Sequence, residues 1–136
     1  MSTPTYASVQ VGDELPALHL PPVNRTALAL FAGASGDHNP IHIDSDFARA
    51  AGMPDVFAHG MLGMAWVGRL LSNWASTAQL REFNVRFAGI THLGNAIRCT
   101  GRVTEKLDGQ RVRVAVQSAN QFGQVKIAGE AVVALP

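Results

Sequence analysis

Asp37, Asn39 and His42 fall within six residues, inside the stretch Gly33-Ala-Ser-Gly-Asp-His-Asn-Pro-Ile-His-Ile-Asp44, and His59-Gly60 follows downstream. A carboxylate and an imidazole brought together on one loop form a general acid/base pair. Spacing alone does not bring Asp37 and His42 together. Residues five apart on a helix point in different directions, and an odd spacing on a strand puts them on opposite faces. Pro40 lacks an N–H and pushes Asn39 towards an extended conformation, so the stretch is no helix. Gly36 and Asn39-Pro40 supply turn chemistry instead. The expectation is a curled loop that turns the carboxylate and the imidazole towards each other. Gly60 then opens an apolar run that reads as a helix. The N-terminus of such a helix carries free N–H groups and the positive dipole end, able to polarise a carbonyl oxygen.

The elements that must hold this loop read as helices first and strands afterwards. Ala17 to Val23 carries Pro21-Pro22 and reads as a short edge strand. Asn24 caps a compact helix that ends in the Gly33–Gly36 region. Asp44 or Ser45 caps a second, short helix from Asp46 to Ala51, closed by Gly52 and Pro54. The third and longest helix runs from Gly60 to about Ala78. It is apolar on nearly every face, with Met61, Leu62, Met64, Trp66, Val67, Leu70, Leu71 and Trp74, and so is expected to be enclosed by other elements. Gln79 to Ala88, Ile97 to Leu107, Arg111 to Ala119 and Val125 to Leu135 read as four strands. Asp108-Gly109 marks a hairpin, and Asn120–Gly123 marks a second turn. This order is that of an α+β domain in which an antiparallel sheet wraps one apolar helix.

Composition narrows the function classes. A length of 136 residues with 47% hydrophobic side chains suits one domain, 1–136, with a core. A net charge of +1 with scattered Lys and Arg leaves no nucleic-acid footprint. The most apolar run falls short of the ~20 residues that span a bilayer, so no membrane partner is expected. Met-Ser-Thr-Pro-Thr-Tyr has neither a basic region nor an apolar core, and the single cysteine, Cys99, suits a reducing compartment. A cytoplasmic protein is expected.

Each candidate also has a plainer reading. Aspartate after Gly36 is an ordinary turn residue. His59 fits a structural role at a helix start. His38 and His42 stand four apart, a helical metal-ligand spacing, with Asp44 and His59 near. Pro40 breaks the helix that spacing requires, so no metal and no cofactor are expected. Met61, Met64, Trp66 and Trp74 are placed to line an acyl tunnel or to fill a core.

Ser35-Gly36-Asp37-His38-Asn39-Pro40-Ile41-His42-Ile43-Asp44, then Phe47-Ala48, then Ala58-His59-Gly60-Met61, resembles the signature of the MaoC-like dehydratases, the R-specific enoyl-CoA hydratases or hydratase 2. Asn84-Val85-Arg86-Phe87 and the chain length are similar to the catalytic subunits of bacterial (3R)-hydroxyacyl-carrier-protein dehydratases. The resemblance implies a hot-dog fold, dimerised into one continuous sheet. It implies reversible syn hydration of trans-2-enoyl thioesters of CoA or acyl carrier protein to (3R)-3-hydroxyacyl thioesters. Asp37 and His42 would be the catalytic pair, Asn39 would orient the water or the loop, and the Gly60 N–H would bind the thioester carbonyl. His59, Phe57, Met61, Met64 and Ala65 are the candidate substrate-binding residues. Ala65 stands where many members carry a serine.

Two other functions compete. A thioesterase of this fold would place a carboxylate on or beside the central helix, and residues 60–78 contain no Asp or Glu. A silent acyl-binding subunit of a heterodimer would not need the Asp37/His42 pair. The expected assembly is a homodimer or a dimer of homodimers, with a heterodimer of related subunits as the alternative.

Overall fold

The computed structural model describes residues 2–136. Asn24 begins α1 (Arg25–Ser35) by accepting the Ala27 N–H through its side chain at 2.8 Å. Gly36 ends it in the left-handed region, φ 78°, where a residue without Cβ is unstrained. A single 3₁₀ turn covers Pro40–His42, and Asp44 caps α2 (Ser45–Ala50). The long helix α3 spans Gly60–Trp74.

Five strands follow the order β1-β3-β4-β5-β2, all antiparallel: β1 (Leu18–His19), β2 (Leu80–Phe87), β3 (Arg98–Leu107), β4 (Arg111–Ala119) and β5 (Val125–Ala134). The three C-terminal strands form a meander, and β2 returns to pair with β5. With α3 packed on it, the sheet forms the α+β hot-dog arrangement. Gly63, Val67, Leu70 and Leu71 face inward from α3, the spacing of one helical face. Val67, Leu70 and Leu71 join Val103, Val112, Val114 and Val133 of the sheet in the main core. Fully burying each large side chain is worth about 1.5–3 kcal/mol. A second cluster, Val23, Leu28, Ala48, Val56 and Ala58, joins α1, α2 and the segment before α3, with Leu62 and Trp66 against it.

Three expectations need correction. The α3 helix stops at Trp74 rather than Ala78, because Ser76 is extended (φ −175°) and a separate 3₁₀ turn, Thr77–Gln79, leads into β2. The first strand shrinks to two residues: Pro21 and Pro22 have no N–H to extend the pairing with β3. Finally, α3 is not enclosed within one chain. Met61, Ala65 and Arg69 form an exposed stripe four residues apart, with Met61 58% exposed, because sheet and small cluster cover only the other faces.

One strand irregularity bears on the site. Ser118 pairs with Ile127 and Ala119 with Val125, so Lys126 is an extra residue on β5 with no partner on β4.

Candidate active site

The loop after α1 curls as its turn residues require. Ser35 Oγ accepts the Asp37 N–H at 3.1 Å, and an Asp37 carboxylate oxygen accepts the Asn39 N–H at 3.2 Å. Asn39 Oδ1 accepts the Ile41 N–H at 3.1 Å and starts the 3₁₀ turn, so its side chain holds the loop. The turn carries His42 inward. One polar atom each from Asp37, His42 and His59 lies within 4.8 Å of the other two. His38 and Asp44 stay outside this group, and Asp44 instead caps α2.

Hydrogen bonds fix the tautomers. His42 Nδ1 is 2.7 Å from the Phe57 carbonyl oxygen. A carbonyl only accepts, so Nδ1 carries the proton and Nε2 of the neutral ring keeps a bare lone pair. His59 Nε2 donates to the Asp37 carbonyl at 3.2 Å, which leaves Nδ1 bare, buried and without a partner among the described residues. The two rings stack with centroids 4.0 Å apart, and Phe31 and Phe57 close in edge-on. His59 is only 1% exposed. Burial pushes its pKa below the ordinary 6.5, and the neighbouring His42 adds to this, while the Asp37 carbonyl opposes it. His59 is thus a neutral platform under His42.

The Phe57 carbonyl is itself held. Asp55, two residues earlier, accepts from Ser45 Oγ at 2.6 Å and from its neighbour's N–H on Val56 at 2.7 Å, and pairs with Arg25 and Arg49. The Ser45 hydroxyl first and then the Val56 N–H lower its pKa from 3.8 to about 2, with burial opposing them and Arg25 adding to the lowering. This knot ties α1 and α2 to the segment that positions His42.

At Gly60 the helix begins, and its N–H has no partner among the described residues. Beside it opens a pocket of ≈ 360 Å³ walled by His59, Gly60, Phe87, Gly89, Lys126 and Ile127, with Phe57 also in the wall. Of the sequence candidates, Phe57, His59 and Gly60 therefore meet at this pocket, and Asp37 and His42 join them through His59. The others do not. Met61 points to solvent, Met64 packs against the main core, and Ala65 borders a separate hollow with Gly68, Arg69 and Ser72. A larger hollow of ≈ 490 Å³, bordered by Glu14, Arg98 and Arg102, contains none of the candidates. Sequence reasoning missed Asp55 and Lys126. Asp55 had only Pro54 beside it as a turn signal, and Lys126 sits in a run that reads as an unbroken strand.

Residues 8–122 match the family model described as MaoC like domain. A curated (R)-specific enoyl-CoA hydratase of Rhodospirillum rubrum is 27% identical over 116 residues, which cover 84% of this chain and 81% of that protein. The fatty acid synthase subunit beta of Saccharomyces cerevisiae is 28% identical over 109 residues, 78% of this chain, but the chain spans only 5% of that subunit's length. Among solved structures, an R-hydratase from Pseudomonas aeruginosa in the unliganded form superposes with a TM-score of 0.88 at 30% identity, covering 97% of this chain and 85% of that one.

Proposed function

The chain belongs to the MaoC-like dehydratase family, and from that premise we propose that it is an R-specific enoyl-thioester hydratase, with residues 1–136 as one catalytic domain. It adds water syn to a trans-2-enoyl thioester of CoA or acyl carrier protein and also runs the reverse dehydration. The observation that carries this reading is the approach of Asp37, His42 and His59 within 4.8 Å, next to a helix N-terminus whose first N–H has no partner among the described residues.

A water sits between the Asp37 carboxylate and His42 Nε2 in this scheme. The carboxylate accepts one water hydrogen and orients it. His42 Nε2 takes the other as the water oxygen attacks C3, forming the C3–O bond. The C2=C3 π electrons move towards the thioester carbonyl, and the charge collects on its oxygen. The Gly60 N–H meets that oxyanion, a contact typically worth about 3 kcal/mol of transition-state stabilisation. His42 then returns its proton to C2 on the face that received the oxygen, which gives syn addition and a (3R)-3-hydroxyacyl thioester. Asn39 keeps the loop in register, and His59 supports the His42 ring. The test is loss of the enoyl-thioester absorbance with crotonyl-CoA, longer enoyl-CoAs and enoyl-carrier-protein thioesters, with chiral analysis of the product. The expected product is (3R); a (3S) product, or thioester cleavage without hydration, contradicts the reading.

A further inference from the structure

We propose that Lys126 is the anion-recognition residue of the Gly60 pocket, so that the substrate carries an anionic oxygen within reach of its ammonium. Three observations converge on it. Lys126 is 7% exposed, yet its ammonium makes no hydrogen bond and no ion pair among the described residues. Its stem is buried while the ammonium itself keeps accessible surface, with no protein acceptor beside it among the described residues. It is the only charged residue in a wall otherwise built from apolar side chains, small residues, Thr91 and the neutral His59. It owes this position to the β5 bulge. Without the extra residue, Lys126 and Ile127 would point to opposite faces; with it, both are buried on the pocket side. Bulges next to sites re-aim side chains in this way. The α3 N-terminus opens into the same space, so two positive features face one apolar cavity.

The shared chemistry is a carboxylate or phosphate oxygen accepting from the ammonium. The carboxylate would lie at the end of a short acyl chain, and the phosphate on the carrier arm. The inference rests on the hydration reading for its kinetic readout but not for its binding readout. Crotonyl-CoA, crotonyl-pantetheine and glutaconyl-pantetheine are compared on the native protein, Lys126→Met and Lys126→Arg. Lys126→Met is expected to raise KM about tenfold or more for whichever substrate bears the recognised anion, to leave kcat within a few-fold, and to spare crotonyl-pantetheine, while Lys126→Arg retains the native KM. Loss with crotonyl-CoA identifies the phosphate; loss with glutaconyl-pantetheine identifies the carboxylate. Equal effects on all three substrates, or none, overturn the proposal and leave an ammonium that merely reaches solvent past an apolar stem. If Lys126→Met fails to fold, calorimetric titration of the native protein decides: no preference for CoA or glutaconyl-pantetheine over crotonyl-pantetheine overturns it. Should the native protein hydrate nothing, Lys126-dependent binding of CoA or glutaconyl-pantetheine keeps the anion site and removes only the hydration reading.

Discussion

A single methyl group separates two roles for Gly60. Its φ lies outside the left-handed region, and an added Cβ would meet Phe87 Cε1 at 3.2 Å and Cδ1 at 3.3 Å. The Phe87 ring is half exposed on an edge strand and has room to give. Alanine also gains up to about 1 kcal/mol of helix propensity. Gly60→Ala should therefore keep or raise Tm while kcat/KM falls by up to about a hundredfold, because the added methyl crowds the carbonyl or tilts the N–H that meets it. Unchanged kcat/KM would rule the donor out. At His59 the prediction concerns pH. Its pKa is lowered on folding, so below the ordinary 6.5 the unfolded chain binds a proton that the folded chain refuses. The His59 contribution to stability is complete above 6.5 and is lost as pH falls through the lowered folded value. Urea unfolding of the native protein should weaken over that window more steeply than that of His59→Gln. Equal slopes would mean that His59 titrates normally.

The elements were more legible than their ends. Capping residues and glycines announced α1, α2 and the start of α3, and the Asp108-Gly109 turn announced the β3–β4 hairpin, because these signals are local. The end of α3 was not legible: residues 75–78 are compatible with helix, and the extended Ser76 is set by the need to enter β2. The Asp37 loop was legible as a curl for the same local reasons. Its His59 platform and the Asp55 knot were not, since both depend on contacts across the fold. The exposed α3 stripe was hidden too, because hydropathy reports which faces are apolar and not which are covered. Sheet pairing makes its own prediction. A Cβ on Gly129 would stand 2.1 Å from the Asn84 carbonyl oxygen and 2.7 Å from Val85 Cα, both backbone atoms of β2. Gly129→Ala should cost about 1–3 kcal/mol in urea unfolding by prising β2 from β5. Gly63→Ala meets only the flexible end of Ile127, at 2.9 Å, and should cost less. The reverse order would contradict this register of β2 on β5.

For the whole molecule, β2 ends the sheet with one unpaired edge, Phe87 is 51% exposed, and α3 shows its Met61–Ala65–Arg69 stripe. Open strand edges are usually paired or covered. We propose a homodimer that joins two sheets edge to edge, with a related subunit as the alternative partner. Light scattering at micromolar concentration should give twice the monomer mass of 14.4 kDa, and monomer alone would contradict it. No helix among the described residues is long and apolar enough to cross a membrane. Turnover of the assembled protein tests the acid/base pair most directly. Hydration of crotonyl-CoA is followed for the native protein, Asp37→Asn and His42→Ala, each checked by circular dichroism. Both variants should stay folded and lose about 10²–10⁴-fold in kcat, because each removes a proton-handling group and little core volume. Folded variants that lose only a few-fold would show that Asp37 and His42 do not carry the reaction.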